Sequence, residues 1–296
     1  MSNKNELLLQ DRLEKIRSVI SKYGEENFYI SYSGGKDSTA LHHLFDLALP
    51  GNKIPRVYVD TGIELLSIQH YVYLLAAKDD RFNIVHPKKN IRHVLEEYGY
   101  PFKSKEHSLY YDVIKRNGLG CKTAQRYLHP SEERKQYGCP QILRYQFESD
   151  LPFKISDQCC VHLKENPIKE WCELNGKRYG ILGITGDEGG RRNRAQCMRF
   201  KDGKFINFQP LAIVSKEWED WFLNRYDIKL CKLYYPPYNF KRTGCKGCPF
   251  NSKLQKDLDT LAMYFQAERK QCEIIWKPVY EEYRRIGYRL RKVEDT

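Results

Sequence analysis

A short run near the start of the chain combines residue types that bind phosphate groups: Ser31-Tyr32-Ser33-Gly34-Gly35-Lys36-Asp37-Ser38-Thr39. The two glycines let the backbone turn its amides inward, and the helix expected to follow points its positive end at an entering anion. The lysine adds a point charge and the hydroxyls add donors. Because the spacing is not that of the Walker pattern, we predict a different anion-binding turn. A simple strand-to-helix turn is the alternative interpretation.

A second segment places an acid and a hydroxyl just after a predicted strand: Val57-Tyr58-Val59-Asp60-Thr61-Gly62. Asp60 could hold a ribose hydroxyl, a metal ion such as magnesium or a backbone amide. The alternative is an acid that caps the helix that follows.

A third segment follows another predicted strand and is rich in glycine, acids and arginine: Gly183-Ile184-Thr185-Gly186-Asp187-Glu188-Gly189-Gly190-Arg191-Arg192-Asn193-Arg194. Arginine forks match phosphate or sulfate groups bidentately. Since glycine-rich loops after parallel strands commonly bind ligands, this segment is a candidate anion contact. A solvated basic loop is the alternative.

Four of the ten cysteines stand in two tight pairs, Cys159-Cys160 and Cys245-x-x-Cys248. Such thiolates suit a 4Fe-4S cluster or a tetrahedral zinc ion. Adjacent cysteines reach one small ion only with strain, whereas neighbouring irons of a cluster can accept one each. The spacing therefore favours the iron-sulfur cluster over zinc, and ordinary buried cysteines remain the third possibility.

Taken together, these segments resemble a known family. The SGGKDS run is similar to the signature of the PP-loop superfamily, which grips the pyrophosphate or sulfate end of an adenylyl nucleotide. The VDTG segment resembles phosphoadenosine phosphosulfate (PAPS) reductase relatives, and the third segment is similar to their G-x-R-x-x-E-S-x-x-x-R stretch, with Glu188 and Arg192 in register. Thr185 and Gly189 depart from that stretch, where the family has arginine and serine. The CC-x-x-x-K-x-x-P segment with a distant CxxC resembles the cluster signature of adenylylsulfate (APS) reductases.

The resemblance implies an adenylyl nucleotide, either ATP or APS/PAPS, and a 4Fe-4S cluster. The four paired cysteines would be the cluster ligands, with Lys164 nearby, and the catalytic candidates are Lys36, Asp37 and Arg192. The implied nucleotide contacts are Ser33, Gly34, Gly35, Lys36, Asp37, Ser38, Thr39, Asp60, Thr61, Gly62, Gly183, Glu188 and Arg192.

The resemblance leaves the reaction open. Those reductases attack with a cysteine in an ECG[LI]H tail, whereas this chain ends Arg291-Lys292-Val293-Glu294-Asp295-Thr296. Cys272 is a weak substitute, with core packing as its alternative, and Cys121 and Cys197 have equally thin support. A reductase would use a thioredoxin-like thiol donor. An ATP pyrophosphatase would instead adenylate an acceptor before sulfur transfer, as in PP-loop relatives that modify tRNA or DNA. A non-catalytic nucleotide sensor or nucleic-acid-binding regulator is the third possibility.

These residues require particular elements to position them. Apolar periodicity predicts a leading helix to about Tyr23, strands at 28–32, 56–59, 82–85 and 180–184, and helices at 37–48, 65–77, 91–98 and 217–226. Such alternation indicates an α/β fold with a Rossmann-like, doubly wound, mostly parallel sheet. We expect an N-terminal helix at 1–24, a PP-loop domain at 25–250 with a helical insertion at about 99–158, and a basic helical region at 251–296.

The composition narrows the class of protein. Its 296 residues carry 50 Lys and Arg against 38 acids, a formal charge of +12 that favours polyanionic partners such as nucleic acid or a charged nucleotide. A surplus that serves solubility alone is the alternative. The arginines from Arg284 to Arg291, with Tyr283 and Tyr288 among them, could follow a phosphate backbone. No long apolar run or secretory signal is evident, so we expect no membrane span and a cytoplasmic protein.

Overall fold

The computed structural model describes residues 2–186 and 196–292, which form two compact units. Unit one comprises Met1–Asp60, Glu64–His86 and Pro167–Gly244. Unit two comprises Thr61–Ile63, Pro87–Asn166 and Cys245–Thr296. The second unit groups the whole of the predicted insertion with the CxxC segment and the C-terminal helices, whereas the sequence-based division places the insertion and the CxxC segment in the domain at 25–250.

The strands are β1 (Phe28–Ser31), β2 (Arg56–Val59), β3 (Phe82–Val85), β4 (Tyr179–Leu182), β5 (Met198–Lys201) and β6 (Lys204–Phe208). The helices are α1 (Ser2–Tyr23), α2 (Lys36–Ala48), α3 (Leu66–Ala76), α4 (Ile91–Tyr98), α5 (Lys105–Asn117), α6 (Lys122–Leu128), α7 (Tyr145–Glu148), α8 (Gln158–Cys160), α9 (Asn166–Leu174), α10 (Lys216–Arg225), α11 (Leu254–Tyr264), α12 (Gln266–Ile275) and α13 (Lys277–Ile286). A π-helical turn, Val161–Glu165, joins α8 to α9.

Unit one contains a six-stranded sheet in the order β3-β2-β1-β4-β6-β5. Strands β1, β2, β3, β4 and β6 pair in parallel, and only β5 runs antiparallel, against β6. The predicted α/β fold with a mostly parallel sheet is confirmed, as are the first three strands and the helix between residues 91 and 98. Strand β5 was not predicted because its residues are mostly exposed and lack the apolar run of a buried strand.

The core of unit one lies between α1, α2, α10 and the sheet. Leu9, Leu13, Ile16 and Ile20 recur at helical spacing, which gives α1 one apolar face. That face belongs to the same buried cluster as Phe28 and Ile30 of β1 and as residues of α2 and α10. The packing fixes the position of β1 and therefore of the turn that follows it.

Unit two is mainly helical. Its insertion carries short helices between 105 and 148, and a single bridge pairs Tyr100 with Ile155. In α13, Val279, Tyr280 and Tyr283 are buried at helical spacing, so this helix packs one face inward. Within residues 2–186 and 196–292, no helix has the length and apolar character needed to cross a membrane.

Candidate functional site

A cleft in unit one lies where the strand order of the sheet reverses. Strands β1 and β4 are neighbours, and the chain continues from them toward opposite edges of the sheet, which opens a crevice beyond their carboxyl ends. The cleft has a volume of about 310 Å³. Its lining residues are Ser31, Ser33, Gly35, Lys36, Asp37, Ser38, Leu182, Gly183, Ile184, Lys216, Tyr234, Lys241, Arg242 and Thr243. Six of the predicted nucleotide contacts are thereby brought together: Ser33, Gly35, Lys36, Asp37, Ser38 and Gly183.

Glycine is required at two positions around this cleft. Gly34 has a φ of +71°, and a Cβ there would lie 2.8 Å from methyl groups of both Ile68 and Val72. A Cβ on Gly183 would lie 3.0 Å from the carbonyl of Asp37, so the end of β4 closely approaches the start of α2. The first glycine therefore shapes the turn, and the second allows the loop after β4 to reach it.

The hydroxyl groups of the turn bond mainly to the turn itself. The Ser33 amide donates to Ser38 Oγ at 3.2 Å, and Ser38 Oγ donates to the Gly35 carbonyl at 2.9 Å. The Thr39 hydroxyl donates to the same carbonyl at 3.0 Å and bonds the Tyr32 hydroxyl. Ser38 and Thr39 thus brace the backbone at the first turn of α2, and Thr39 does not line the cleft.

Four basic side chains line the cleft. Lys36 Nζ pairs with Asp220 and lies 3.3 Å from Glu219. Lys216 Nζ lies 2.8 Å from Asp37 and 3.7 Å from Glu219. The other two cations are Lys241 and Arg242. The amino end of α2 and these cations make one wall of the cleft positive, while the acids hold two of the lysines in place.

Glu219 is a buried acid that the sequence analysis missed. Its side chain has no exposed surface, and neither carboxylate oxygen has a hydrogen-bond partner among the described residues. Burial raises its pKa to about 8, aided by Asp37 and opposed by the charges of Lys216 and Lys36. The signal was available in part, because Lys216 stands three residues before Glu219 on α10 and such pairs meet on a helix.

Tyr234 also bonds the turn. The Lys36 amide donates to the Tyr234 hydroxyl at 3.0 Å, and that hydroxyl bonds Thr243 Oγ1 at 2.7 Å. Tyr234 belongs to an aromatic-rich segment that runs to Phe240. Its observed bond is made by the hydroxyl, which satisfies one of the unpaired amides at the start of α2.

The VDTG segment divides between the two units. Asp60 is buried at the end of β2 and accepts hydrogen bonds from Gln69 Nε2 at 2.7 Å and from the Tyr73 hydroxyl at 2.9 Å. It does not line the cleft. Thr61 and Gly62 belong to unit two, where Thr61 is buried. Two further predicted contacts, Glu188 and Arg192, lie outside the described residues.

The four paired cysteines all lie in unit two. Cys159 is buried, and the other three are partly buried. The pKa of Cys159 is raised, first by its hydrogen bond with Cys160, then by burial, and further by Cys160, Cys248 and Cys245. Burial, Cys245 and Cys160 raise the pKa of Cys248. Each of these effects requires proximity, so the fold places all four thiols within electrostatic range of one another.

Cations surround the first pair of cysteines. The pKa of Cys160 is lowered by its hydrogen bond with Cys159 and by Lys105 and Lys164, against the effect of burial. The π-helical turn begins directly after Cys160, and such turns often occur at functional sites. Among the described residues, no three histidine, cysteine, aspartate or glutamate side chains are arranged to hold a metal ion.

Side chains from the C-terminal helices hold the second pair of cysteines. Trp276 Nε1 donates to the Lys246 carbonyl at 2.9 Å, and the Tyr280 hydroxyl donates to the Gly247 carbonyl. The Tyr283 hydroxyl donates to the Pro249 carbonyl at 3.0 Å. We call these three donors the carbonyl clamp. They fix the backbone that carries Cys245 and Cys248.

Cys272 lies in the core of unit two. It has no exposed surface, and a Cβ on Gly247 would lie 2.8 Å from its sulfur. Burial raises the pKa of its thiol to about 12. A nucleophilic thiol needs a low pKa and access to substrate, so this environment favours the packing interpretation. Cys121 and Cys197 are partly buried, and each sulfur accepts a hydrogen bond from within its own unit.

Comparison with known proteins supports part of these expectations. Residues 27–122 match the family of phosphoadenosine phosphosulfate reductase domains. An uncharacterized protein of Methanocaldococcus jannaschii is 34% identical over 104 residues, which cover 32% of this chain and 25% of the relative. The chain therefore spans about a quarter of the length of this curated relative.

Several solved structures are similar to this chain at low sequence identity. The FMN adenylyltransferase of Candida glabrata, in complex with FMN and an ATP analogue, is 12% identical with a TM-score of 0.50, over 82% of this chain and 64% of that one. The PAPS reductase of Candida auris is 12% identical with a TM-score of 0.47, over 83% and 95% of the two chains. A U34-tRNA thiolase of Methanococcus maripaludis, which carries a 4Fe-4S cluster, is 15% identical with a TM-score of 0.42, over 95% and 80%. The similarity to the FMN adenylyltransferase concerns the fold alone.

Proposed function

We propose, from the phosphoadenosine phosphosulfate reductase domain at residues 27–122, that unit one binds the anionic end of an adenylyl nucleotide and that the chain is an enzyme of sulfur chemistry. The observation that carries the proposal is the cleft at the carboxyl ends of β1 and β4, into which the first turn of α2 faces. Backbone amides at a helix start and four nearby cations suit phosphate or sulfate.

The acids of the cleft would regulate how strongly its lysines hold an anion. Glu219 has a pKa of about 8 and is therefore largely protonated at neutral pH. Its neutral form leaves Lys36 and Lys216 with Asp220 and Asp37 as their charged partners. An arriving phosphate would compete with those two exposed or half-buried carboxylates. Carboxylate oxygens such as those of Asp37 also suit the magnesium ion that accompanies ATP.

Nucleotide titration of the full chain tests this proposal. We expect ATP, APS or PAPS to bind, and Lys36→Met to weaken that binding at least about tenfold because it removes a charge-assisted contact. Lys229→Met is the matched control, since Lys229 is an exposed lysine of unit one paired with Asp227. Calorimetry that detects no nucleotide binding, or equal binding by both variants, would contradict the proposal.

The four paired cysteines are proposed ligands of a 4Fe-4S cluster in unit two. The support is that their thiols influence one another's pKa, that Lys105 and Lys164 lower the pKa of Cys160, and that the carbonyl clamp fixes the second pair. A cluster would supply a site for electron transfer or for binding sulfur. The protein's own contribution is to hold four thiolates together and to offset their charge with Lys105 and Lys164.

Metal and sulfide analysis of anaerobically purified protein tests the ligands. We expect iron with acid-labile sulfide, broad visible absorption, and loss of both in Cys245→Ala. Cys121→Ser is the control, because Cys121 lies in the same unit but caps α6. Colourless protein with stoichiometric zinc would replace the cluster by the zinc alternative. Protein that contains neither metal would support buried cysteines alone.

A second candidate function is ATP-dependent adenylation of an acceptor, followed by sulfur transfer that releases AMP. The burial of Cys272 favours it, because a sulfonucleotide reductase needs a reactive thiol and this one is inaccessible. tRNA and DNA are the acceptor classes that suit a chain of formal charge +12.

Product assays with ATP, APS and PAPS separate the possible reactions. Pyrophosphate released from ATP, and increased by added RNA or DNA, would support adenylation. Release of AMP from APS or PAPS with a thioredoxin-like thiol donor would support reduction, and loss of that activity in Cys272→Ser would identify the thiol. Binding of ATP without turnover in any arm would favour a nucleotide sensor.

A further inference from the structure

Two half-buried cations of unit two, one on the loop before α5 and one after α13, have no carboxylate partner among the described residues. Lys103 and Arg289 are half-buried, and neither forms an ion pair with a described residue. The neighbouring arginines behave differently, because each has a carboxylate partner: Arg284 with Glu273, Arg285 with Glu282, and Arg291 with Asp259. From the sequence, the C-terminal basic cluster could follow a phosphate backbone. These ion pairs occupy most of its arginines and leave few charges for that role. They also single out Arg289.

A short chain of hydrogen bonds links the backbone of Lys103 to the guanidinium of Arg289. The Lys103 amide donates to the Tyr283 hydroxyl at 2.7 Å, and that hydroxyl donates to the Pro249 carbonyl at 3.0 Å. The guanidinium of Arg289 donates to the same carbonyl. The pKa of Lys103 is lowered mainly by burial; Cys139 opposes this shift, Arg289 adds to it to a lesser extent, and Glu106 has the smallest, opposing effect. The like charges therefore lie within electrostatic range.

A buried network aims the ammonium group of Lys103. Lys103 Nζ donates to the Tyr127 hydroxyl at 3.3 Å, which bonds His107 Nδ1 at 2.8 Å, and His107 Nε2 bonds Gln146 Oε1 at 2.9 Å. Burial lowers the pKa of His107 to about 3, so the ring is neutral and has one N–H. Since Gln146 Oε1 only accepts, that proton lies on Nε2. Tyr127 must then donate to Nδ1, which leaves its oxygen to accept from Lys103.

The backbone is unusual at both cations. Lys103 has a φ of 55° and Arg289 a φ of 61°, a left-handed region that disfavours residues other than glycine. The guanidinium of Arg289 also lies 5.5 Å from the centre of the Tyr288 ring, which is half-buried. Strained residues held by surrounding structure often occur where a ligand is gripped.

We propose that Lys103 and Arg289 form a phosphate-binding site in unit two, with Tyr288 beside it. A phosphate would relieve the repulsion between two half-buried like charges, and it accepts both a guanidinium fork and an ammonium. The ring would offer a stacking face if the phosphate belongs to a single-stranded nucleic acid. Inorganic phosphate carries the same chemistry, so the test must separate these two sources. The proposal does not depend on the nucleotide site of unit one.

The test uses the full chain with two probes, inorganic phosphate followed by calorimetry and a labelled short single-stranded RNA followed by fluorescence anisotropy. Lys103→Asn removes the charge, and asparagine tolerates a positive φ. Arg289→Gln removes the other charge, and Arg289→Lys retains it. Arg285→Gln is the control, because it causes the same change in net charge at an exposed, paired arginine of the same region. Thermal unfolding confirms that each variant is folded.

We expect Lys103→Asn and Arg289→Gln to weaken RNA binding about tenfold and to reduce the slope of log K against log salt by about 0.7, while Arg285→Gln changes affinity less than twofold. Partial rescue by Arg289→Lys would support a charge contact. Weakened binding of inorganic phosphate with unchanged RNA binding would support the phosphate site and identify the free ion as its ligand. If wild-type protein binds neither probe, or if Arg285→Gln weakens binding as much as the two site variants, the proposal is overturned.

Discussion

The turn before α2 in unit one and the CxxC loop in unit two are both held in place by close packing, but they differ in the groups that their backbone bonds involve. Each contains a glycine with a positive φ that packs against buried side chains, Gly34 against Ile68 and Val72, and Gly247 against Tyr280 and Cys272. In the first, residues of the turn line a cleft, and we propose that the start of α2 binds an anion there. In the second, side chains donate hydrogen bonds to the backbone carbonyls, and we propose that the cysteine thiols hold a cluster.

The two sites also differ in how their charged side chains are paired. The turn carries its own counter-charges, since Lys36 and Lys216 pair with acids of α2 and α10. Between the two cysteines of the CxxC loop, the residue that forms an ion pair is Lys246. It is buried, and its ammonium group lies 3.8 Å from the Glu268 carboxylate and donates a hydrogen bond to Gln271. The first arrangement can exchange an acid for a ligand. In the second arrangement, hydrogen bonds hold the backbone of the CxxC loop in one conformation.

The largest expected effect is that of Gly247→Ala. The new Cβ would lie 2.3 Å from the Tyr280 hydroxyl and 2.8 Å from Cys272, and alanine disfavours the φ of +61°. We expect the free energy of unfolding to fall by about 4 kcal/mol or more, since strain and overpacking add. Urea unfolding measures this loss. Gly244→Ala is the matched control, because nothing lies within 4 Å of its Cβ, and it should change stability by less than about 0.5 kcal/mol.

Gly34→Ala makes the corresponding change in unit one. Its Cβ would meet two methyl groups at 2.8 Å, and φ is +71°. We expect a loss of about 3 kcal/mol and much weaker nucleotide binding, because the amides of the turn would shift. Gly51→Ala controls for backbone conformation alone, since its φ is +75° but nothing lies within 4 Å. If both variants lose the same stability, the close packing of Gly34 is unimportant and the comparison with Gly247 fails.

The two sites also differ in how far their sequence revealed them. The strand-turn-helix around Ser33 and Lys36 could be predicted because its signal is local: apolar residues, glycines and hydroxyls within one short segment. The parallel sheet followed for the same reason. The carbonyl clamp could not be predicted, because it depends on side chains distant in sequence whose positions only tertiary packing determines. For Glu219 the helical spacing from Lys216 was available, but its burial and its contacts with Lys36 and Asp37 were not.

Glu219→Gln tests whether the acids of unit one respond to pH. A folded-state pKa near 8, above the ordinary 4.5, means that the folded protein keeps a proton which the unfolded chain has lost. Stability should therefore fall as pH rises from about 4.5 to 8. Between about pH 6 and pH 7.5 the wild type should lose about 2 kcal/mol more than the variant, because glutamine cannot ionise. The charged groups facing Glu219 are Asp37, Lys216 and Lys36, which both proteins share.

Urea unfolding of both proteins at the two pH values measures that difference. Parallel pH profiles would mean that Glu219 is ionised throughout and that its ion pairs with the two lysines are permanent. Nucleotide affinity gives a second readout. We expect the wild type to bind an anion more weakly as pH rises through 8, since the ionised acid competes for Lys36 and Lys216, and the variant should lose this dependence.

The smallest expected effect comes from removing one donor of the carbonyl clamp. Tyr283→Phe deletes a hydroxyl that accepts from the Lys103 amide and donates to the Pro249 carbonyl. The carbonyl keeps its bond from Arg289, but the amide loses its partner, so we expect a loss of about 1–2 kcal/mol by urea unfolding. Tyr137→Phe is the control, because Tyr137 is an exposed tyrosine of the same unit. A clamp that fixes the loop through several bonds predicts that iron content survives Tyr283→Phe. Loss of iron together with unchanged stability would instead assign this hydroxyl a direct role beside the cysteines.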